Sequence, residues 1–183
     1  MTETRKLLMD AAEANIRQKG YNAVSFRELA DDLGIKSASV HYHFRKKEDL
    51  GLALITRYSE RFFQTLAQNT FEAATAREKL TGFCETYRQA LVSSDSICLC
   101  GMLGAESCGL PEAMTTKVAG FFTANIAWLE NAFPSHWPSA DKQSRAGQVV
   151  ATLQGAMMLA TSTGNPLWFR QTATHLIEDV MGP

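Results

Sequence analysis

The chain has 183 residues, 45% of them hydrophobic and 20% charged, and its net charge is -1. That length holds one large domain or a small one joined to a larger one, with apolar residues enough for a real core. The near balance of charge excludes a polycation that binds nucleic acid along its whole surface, and no apolar run is long enough to span a bilayer.

In chain order, residues 4–19 read as a first helix, with Leu8, Ala11, Ala12, Asn15 and Ile16 at helical spacing and Gly20 as its stop. Ser25 and Glu28 form an S-x-x-E capping box that starts a second helix. Leu29 and Leu33 lie on its inner face, Ala30 is small where another helix must approach, and Gly34 takes a left-handed turn. Ile35 fills the corner. A third helix runs from Ser37 to His43, with Val40 inward and Phe44 closing the unit. Apolar residues at 29, 33, 35 and 40, a small one at 30 and glycine at 34 are helix-turn-helix spacing.

From Lys47 a long helix reaches about Thr70, with Leu50, Leu54, Tyr58, Phe62 and Leu66 every fourth residue. A fifth carries Leu80, Phe83, Cys84, Tyr87 and Leu91 and is broken at V-S-S-D-S. Cys98–Cys108 reads as one short helix ended by Gly109 and Pro111, and 112–133 as a seventh. After F-P-S-H-W-P-S, with Ser139 as the expected cap, an eighth helix reaches Thr163. Its middle, V-V-A-T-L-Q-G-A-M-M-L-A, is apolar nearly all round, more than one core requires. Asn165-Pro166 caps a ninth helix. Strand patterns are absent, so the expected fold is all-α.

The run S-F-R-E-L-A…L-G-I…S-V-H-Y-H-F-x-x-K-E-D-L resembles the N-terminal module of the TetR family of bacterial transcriptional regulators, densely over residues 8 to 54 and more weakly beyond. The resemblance implies a DNA-binding domain over 1–46 and a helical effector-binding and dimerisation domain over 47–183. It implies a repressor that binds palindromic double-stranded operator DNA as a homodimer and is released by a small apolar or amphipathic effector. No cofactor or metal is called for, and the expected setting is the bacterial cytoplasm, on the nucleoid when DNA-bound.

Half of the 18 basic residues fall within the first 50 positions, and Lys36 with Arg45-Lys46-Lys47 makes a local patch beside the third helix. The DNA-facing set expected on this module is Ser25, Arg27, Lys36, Ser37, Ser39, His41, Tyr42, His43 and Lys47. Arg27 can pair with a guanine edge or clamp a phosphate, or it can pair with Asp31 one turn on. Ser37, Ala38 and Ser39 are small enough to let the helix enter the major groove. Family members often cap at the position of Lys36, so Ser37 is expected to take over the cap. His41 stands where most members have an aromatic, usually tyrosine. Tyr42 and His43 follow the family pattern, with His43 and Lys47 expected on phosphates. Two histidines two apart on a helix do not share a face, which argues against a metal.

The resemblance also implies that helices four to seven enclose an effector and that helices eight and nine pair across a two-fold axis. Phe62, Phe83, Tyr87, Met102, Phe121, Trp128 and Met157 are candidate lining, with Glu106 or Asn125 as polar anchors. The same spacing also builds a plain bundle core. The expected dimer contacts are Val149, Leu153, Met157, Leu167, Leu176 and Val180. Cys84, Cys98, Cys100 and Cys108 fit no zinc spacing, which leaves core thiols or a thiol switch. Two other functions remain open: a thiol-gated regulator sensing oxidants or electrophiles, and a helical carrier or enzyme whose hairpin is purely structural.

Overall fold

Most helix boundaries follow the local chemistry of the chain. The computed structural model describes residues 2–93 and 96–182. Among them the regular structure is helical throughout: α1 (Glu3–Lys19), α2 (Phe26–Asp32), α3 (Ser37–His43), α4 (Lys47–Asn69), α5 (Ala76–Val92), α6 (Leu99–Ala105), a 3-10 turn at Ser107–Gly109, α7 (Glu112–Ala132), α8 (Ser139–Thr163) and α9 (Leu167–Met181). The all-α class read from the sequence is the one that folds.

At α2 the capping box closes in both directions. Ser25 Oγ accepts from the Glu28 amide at 3.1 Å, and Glu28 Oε2 accepts from the Ser25 amide at 2.9 Å. Thr75 and Glu78 do the same at α5, a T-x-x-E signal equally legible in the sequence. Gly34, at φ 63, turns the chain from α2 into α3. The Asn165 carboxamide oxygen accepts from the Leu167 amide at 3.0 Å and so caps α9.

Three local expectations change. Ser37 is the first helical residue of α3, and Lys36 holds the cap position with no side-chain bond, since an ammonium has no acceptor to offer. Ser139 is likewise inside α8, with Pro138 at the cap. The helix expected over Cys98–Cys108 stops at Ala105, because the Glu106 carboxylate reaches across to accept from the Tyr21 amide at 2.9 Å. The break expected at V-S-S-D-S includes Ser94 and Asp95, which lie outside the described residues; α5 ends at Val92.

The chain divides into two compact units. The first is Met1–Ser59 with Leu99–Ala119. The boundary expected at 46/47 differs because α1, α2 and α3, of 17, 7 and 7 residues, are too short to bury their own apolar faces. Leu8, Ile16, Leu29 and Val40 share this unit's core with Leu50, Leu54 and Ile55 of α4, Leu103 of α6 and Met114 of α7. Arg57 ties α4 to α1, with Nη1 on Asp10 Oδ1 at 2.6 Å and Nη2 on Glu13 Oε2 at 2.7 Å. Gly51 admits Met114: a Cβ there would lie 2.6 Å from its sulfur.

The second unit is Glu60–Cys98 with Gly120–Pro183. Its core joins Phe62 and Leu66 to Phe83, Tyr87, Phe121, Leu129 and Phe169. Gly164, at φ 62, turns α8 into α9, and the two helices pack side by side. Val149, Leu153, Met157, Leu176 and Val180 are all buried within the one chain. This corrects their assignment as a surface for a second chain: side chains already withdrawn from solvent have no face left to offer. Leu167 is exposed, as that role requires.

Within the second unit, a Cβ on Gly82 would stand 2.6 Å from both Asn69 O and Thr70 Cγ2. Gly82→Ala should therefore destabilise by about 1–3 kcal/mol, the usual cost of overpacking, despite the better helix propensity of alanine. Calorimetry should record a lower Tm, and an unchanged or raised one would mean that the turn after α4 yields freely.

Candidate nucleic-acid interface and candidate effector region

The α2–α3 hairpin buries Leu29, Ala30 and Val40 and turns the remaining residues of α3 outward. Ser37, Ala38, His41 and Tyr42 are exposed, whereas Ser39 and His43 are half-buried. Tyr42 is 84% exposed, an unusual position for an aromatic ring without a partner surface. The His41 ring stands edge-on to Phe26 with centroids 5.1 Å apart, which orients it against α2. Arg27 and Lys36 are exposed and make no ion pair among the described residues, so the alternative of an Arg27–Asp31 pair is not realised.

Two members of the expected set are engaged elsewhere. Ser25 is held by Glu28 in the capping box. The Lys47 ammonium lies 4.3 Å from the centre of the Tyr21 ring and donates to Asn22 O at 3.5 Å. Burial holds its pKa below the usual lysine range, opposed by the negative charges of Glu106 and Glu28. Burial, with the Glu48 charge, pushes the Tyr21 hydroxyl up to about 12.

In the second unit the aromatic candidates form one cluster. Phe62 lies edge-on to Tyr87, Phe121 and Phe83 at 5.1, 5.2 and 6.4 Å, and Phe83 stacks on Trp128 at 5.5 Å. Asn125 is buried beside them and donates to Phe121 O at 2.8 Å. The Tyr87 hydroxyl donates to Asn125 Oδ1 at 3.4 Å and accepts from Gln154 Nε2 at 3.5 Å. Gln154 Nε2 also reaches Cys98 Sγ at 3.2 Å. Met157 is buried in the same unit. Met102 and Glu106 belong to the first unit, where Glu106 is already bound to the turn after α1.

Sequence reading passed over Gln154, although it is the single carboxamide within V-V-A-T-L-Q-G-A-M-M-L-A, and a lone polar residue in an apolar run is a usable signal. Nothing in the sequence pointed to the Glu106–Tyr21 bond, which joins residues 85 apart.

Residues 8–54 match the family described as bacterial regulatory proteins, tetR family. A crystal structure of a TetR transcriptional regulator from Legionella pneumophila has the same fold, with a TM-score of 0.89 over 98% of this chain and 97% of that one, at 29% identity. Residues 8–54 are thus a TetR-family N-terminal module. Similar curated members are the transcriptional regulator AcuR of Cereibacter sphaeroides, 30% identical over 62% of this chain, and the HTH-type transcriptional repressor NemR of Escherichia coli, 25% identical over 71% of it. Across three such relatives the chain spans 38%, 53% and 67% of their own lengths.

The thiols of the chain are unequal. Cys84, Cys98 and Cys100 are buried, and burial pushes the Cys84 thiol up to about 12. Cys108 is exposed on the 3-10 turn. Since the thiolate is the reactive species, an aromatic disulfide reagent at pH 8 should label one thiol of the native protein quickly and the others only on unfolding. Cys108→Ser should abolish the fast phase; a fast phase that survives it would contradict this burial pattern.

Proposed function

We propose that this chain is a transcription regulator, a repressor, that binds palindromic double-stranded operator DNA as a homodimer and is released by a small apolar or amphipathic effector. The observation that carries the reading is the exposed face of α3, where Ser37, Ala38, His41 and Tyr42 face solvent while Val40 is the residue that buries the helix. A hairpin kept only as structure, in a carrier or an enzyme, would cover that surface. Arg27 and Lys36 flank it with uncommitted positive charge, and His43 follows toward the backbone side. The repressor name of NemR agrees in direction.

For assembly, the outer face of α8 supports a two-fold pairing. Beyond Arg145 the helix has no charged residue to its end, and Ala151, Gly155, Met158 and Leu159 are exposed at helical spacing. Leu167 and Trp168 continue the exposed apolar surface at the start of α9. Paired half-sites need recognition helices about 34–36 Å apart, which one copy cannot supply.

For release, α4 is one helix that contributes Leu50 and Leu54 to the first core and Phe62 and Leu66 to the second. An effector bound among the aromatics of the second unit acts on the far half of the helix whose near half supports the hairpin. It needs about 5.5 kcal/mol of differential affinity to move a population from nearly all DNA-competent to nearly none. The buried polar residues of that unit, Thr86, Ser96 and Asn125, are uncharged, which suits a neutral ligand. A thiol-gated regulator is the weaker reading, since three of the four cysteines are buried. The protein is expected in the bacterial cytoplasm; among the described residues no helix is long and apolar enough to cross a membrane.

In a gel shift on its operator, Arg27→Ala should cost about 1–3 kcal/mol and relax one position. Lys36→Ala should weaken every sequence alike and reduce the salt slope by about one. If neither variant differs from wild type, α3 and its flanks are not the DNA-binding surface. For the dimer, Leu159→Glu or Trp168→Glu should give folded monomers in sedimentation, with far weaker operator binding. A wild-type protein that sediments as a monomer would refute the two-fold arrangement.

A further inference from the structure

The exposed face of α3 lacks the side chains that make two-point contacts with base edges. Between Ser37 and His43 there is no Arg, Lys, Asn or Gln. Those are the residues that pair bidentately with guanine O6 and N7 or adenine N6 and N7. Beside the exposed Ser37 and His41, the helix presents an apolar pair. Ala38 and Tyr42 are exposed four residues apart, so the methyl group and the ring lie on one face, one turn from each other. His41, beside them, is turned against Phe26 on α2. Two exposed cations flank this face: Lys36, at the cap of α3, is a point charge, whereas Arg27, on the first turn of α2 and unpaired among the described residues, has the planar fork that grips a base edge at two points.

In the major groove the one apolar feature of a base edge is the C5 methyl of thymine. We infer that this chain reads each half-site chiefly through thymine methyl groups packed on Ala38 and Tyr42, with a guanine contact supplied by Arg27. The inference rests on the reading of α3 as the helix that enters the groove, and it names the class of sequence that helix selects: thymine-rich, with one G·C pair at the side where α2 approaches. Recognition of this kind is non-directional, so shape and hydration decide it more than hydrogen bonding does.

Uracil isolates the term. Replacing thymine by uracil removes the methyl group and leaves every hydrogen-bonding group of the base pair in place. The full-length protein is used to enrich duplexes from a random pool, and Kd is then measured on the enriched site with its thymines replaced one at a time. The enriched half-site should be thymine-rich with one fixed guanine, and uracil at a contacted position should weaken binding about fourfold, the value of one buried methyl group. The uracil-to-thymine ratio should fall to one at a single position in Ala38→Gly and at a neighbouring one in Tyr42→Ala. Because that ratio is taken within each variant, any general loss of affinity or helix stability cancels. Arg27→Ala should leave the uracil ratios alone and relax only the guanine.

An enriched site bound equally well in its thymine and uracil forms overturns the inference and leaves the DNA-binding reading intact. A pool that yields no enriched sequence overturns both.

Discussion

One apolar stripe, on α4, is the constraint on which the rest of the structure depends. Leu50, Leu54, Tyr58, Phe62 and Leu66 are all buried, and the first three belong to one compact unit and the last two to the other. At 3.6 residues per turn each step of four overshoots a full turn by about 40°, so the stripe winds around the helix. A single element can thus complete two cores. The N-terminal helices need this, since seven residues make a helix too short to be stable alone.

The character of each candidate site follows from what its unit buries. In the hairpin, Leu29 and Val40 consume the inner faces of α2 and α3, which leaves a small, weakly polar outer face with cations only at its margins. A surface of that kind gains affinity from phosphates at the rim and discrimination from shape at the centre. In the second unit the buried polar groups are amides and hydroxyls set among aromatic rings, so the interior tolerates a hydrogen-bonding neutral molecule and disfavours an unpaired charge. The two bonds of the Tyr87 hydroxyl, with Asn125 at 3.4 Å and with Gln154 at 3.5 Å, lie at the long end of hydrogen-bond geometry. Short, saturated bonds would resist exchange for a ligand's; long ones cost less to replace.

The sequence by itself determined what short range controls. Capping at Ser25 and Asn165 and the left-handed turn at Gly34 depend on residues no more than a few positions apart, and so they are written as local patterns. The same holds for the all-α class, which comes from helical periodicity. Tertiary structure alone decided the rest. Periodicity shows that α8 has more apolar surface than one core needs, but not which side turns inward; the fold of the second unit buries Val149, Leu153 and Met157 and leaves Met158 and Leu159 outside. Lys47 reads as a phosphate contact until Tyr21 closes over its ammonium. Glu106 reads as a ligand anchor until the Tyr21 amide, left without a helical partner after α1, takes its carboxylate. In each case the deciding partner lies far along the chain, and a buried polar group must be satisfied by whatever the fold brings within reach.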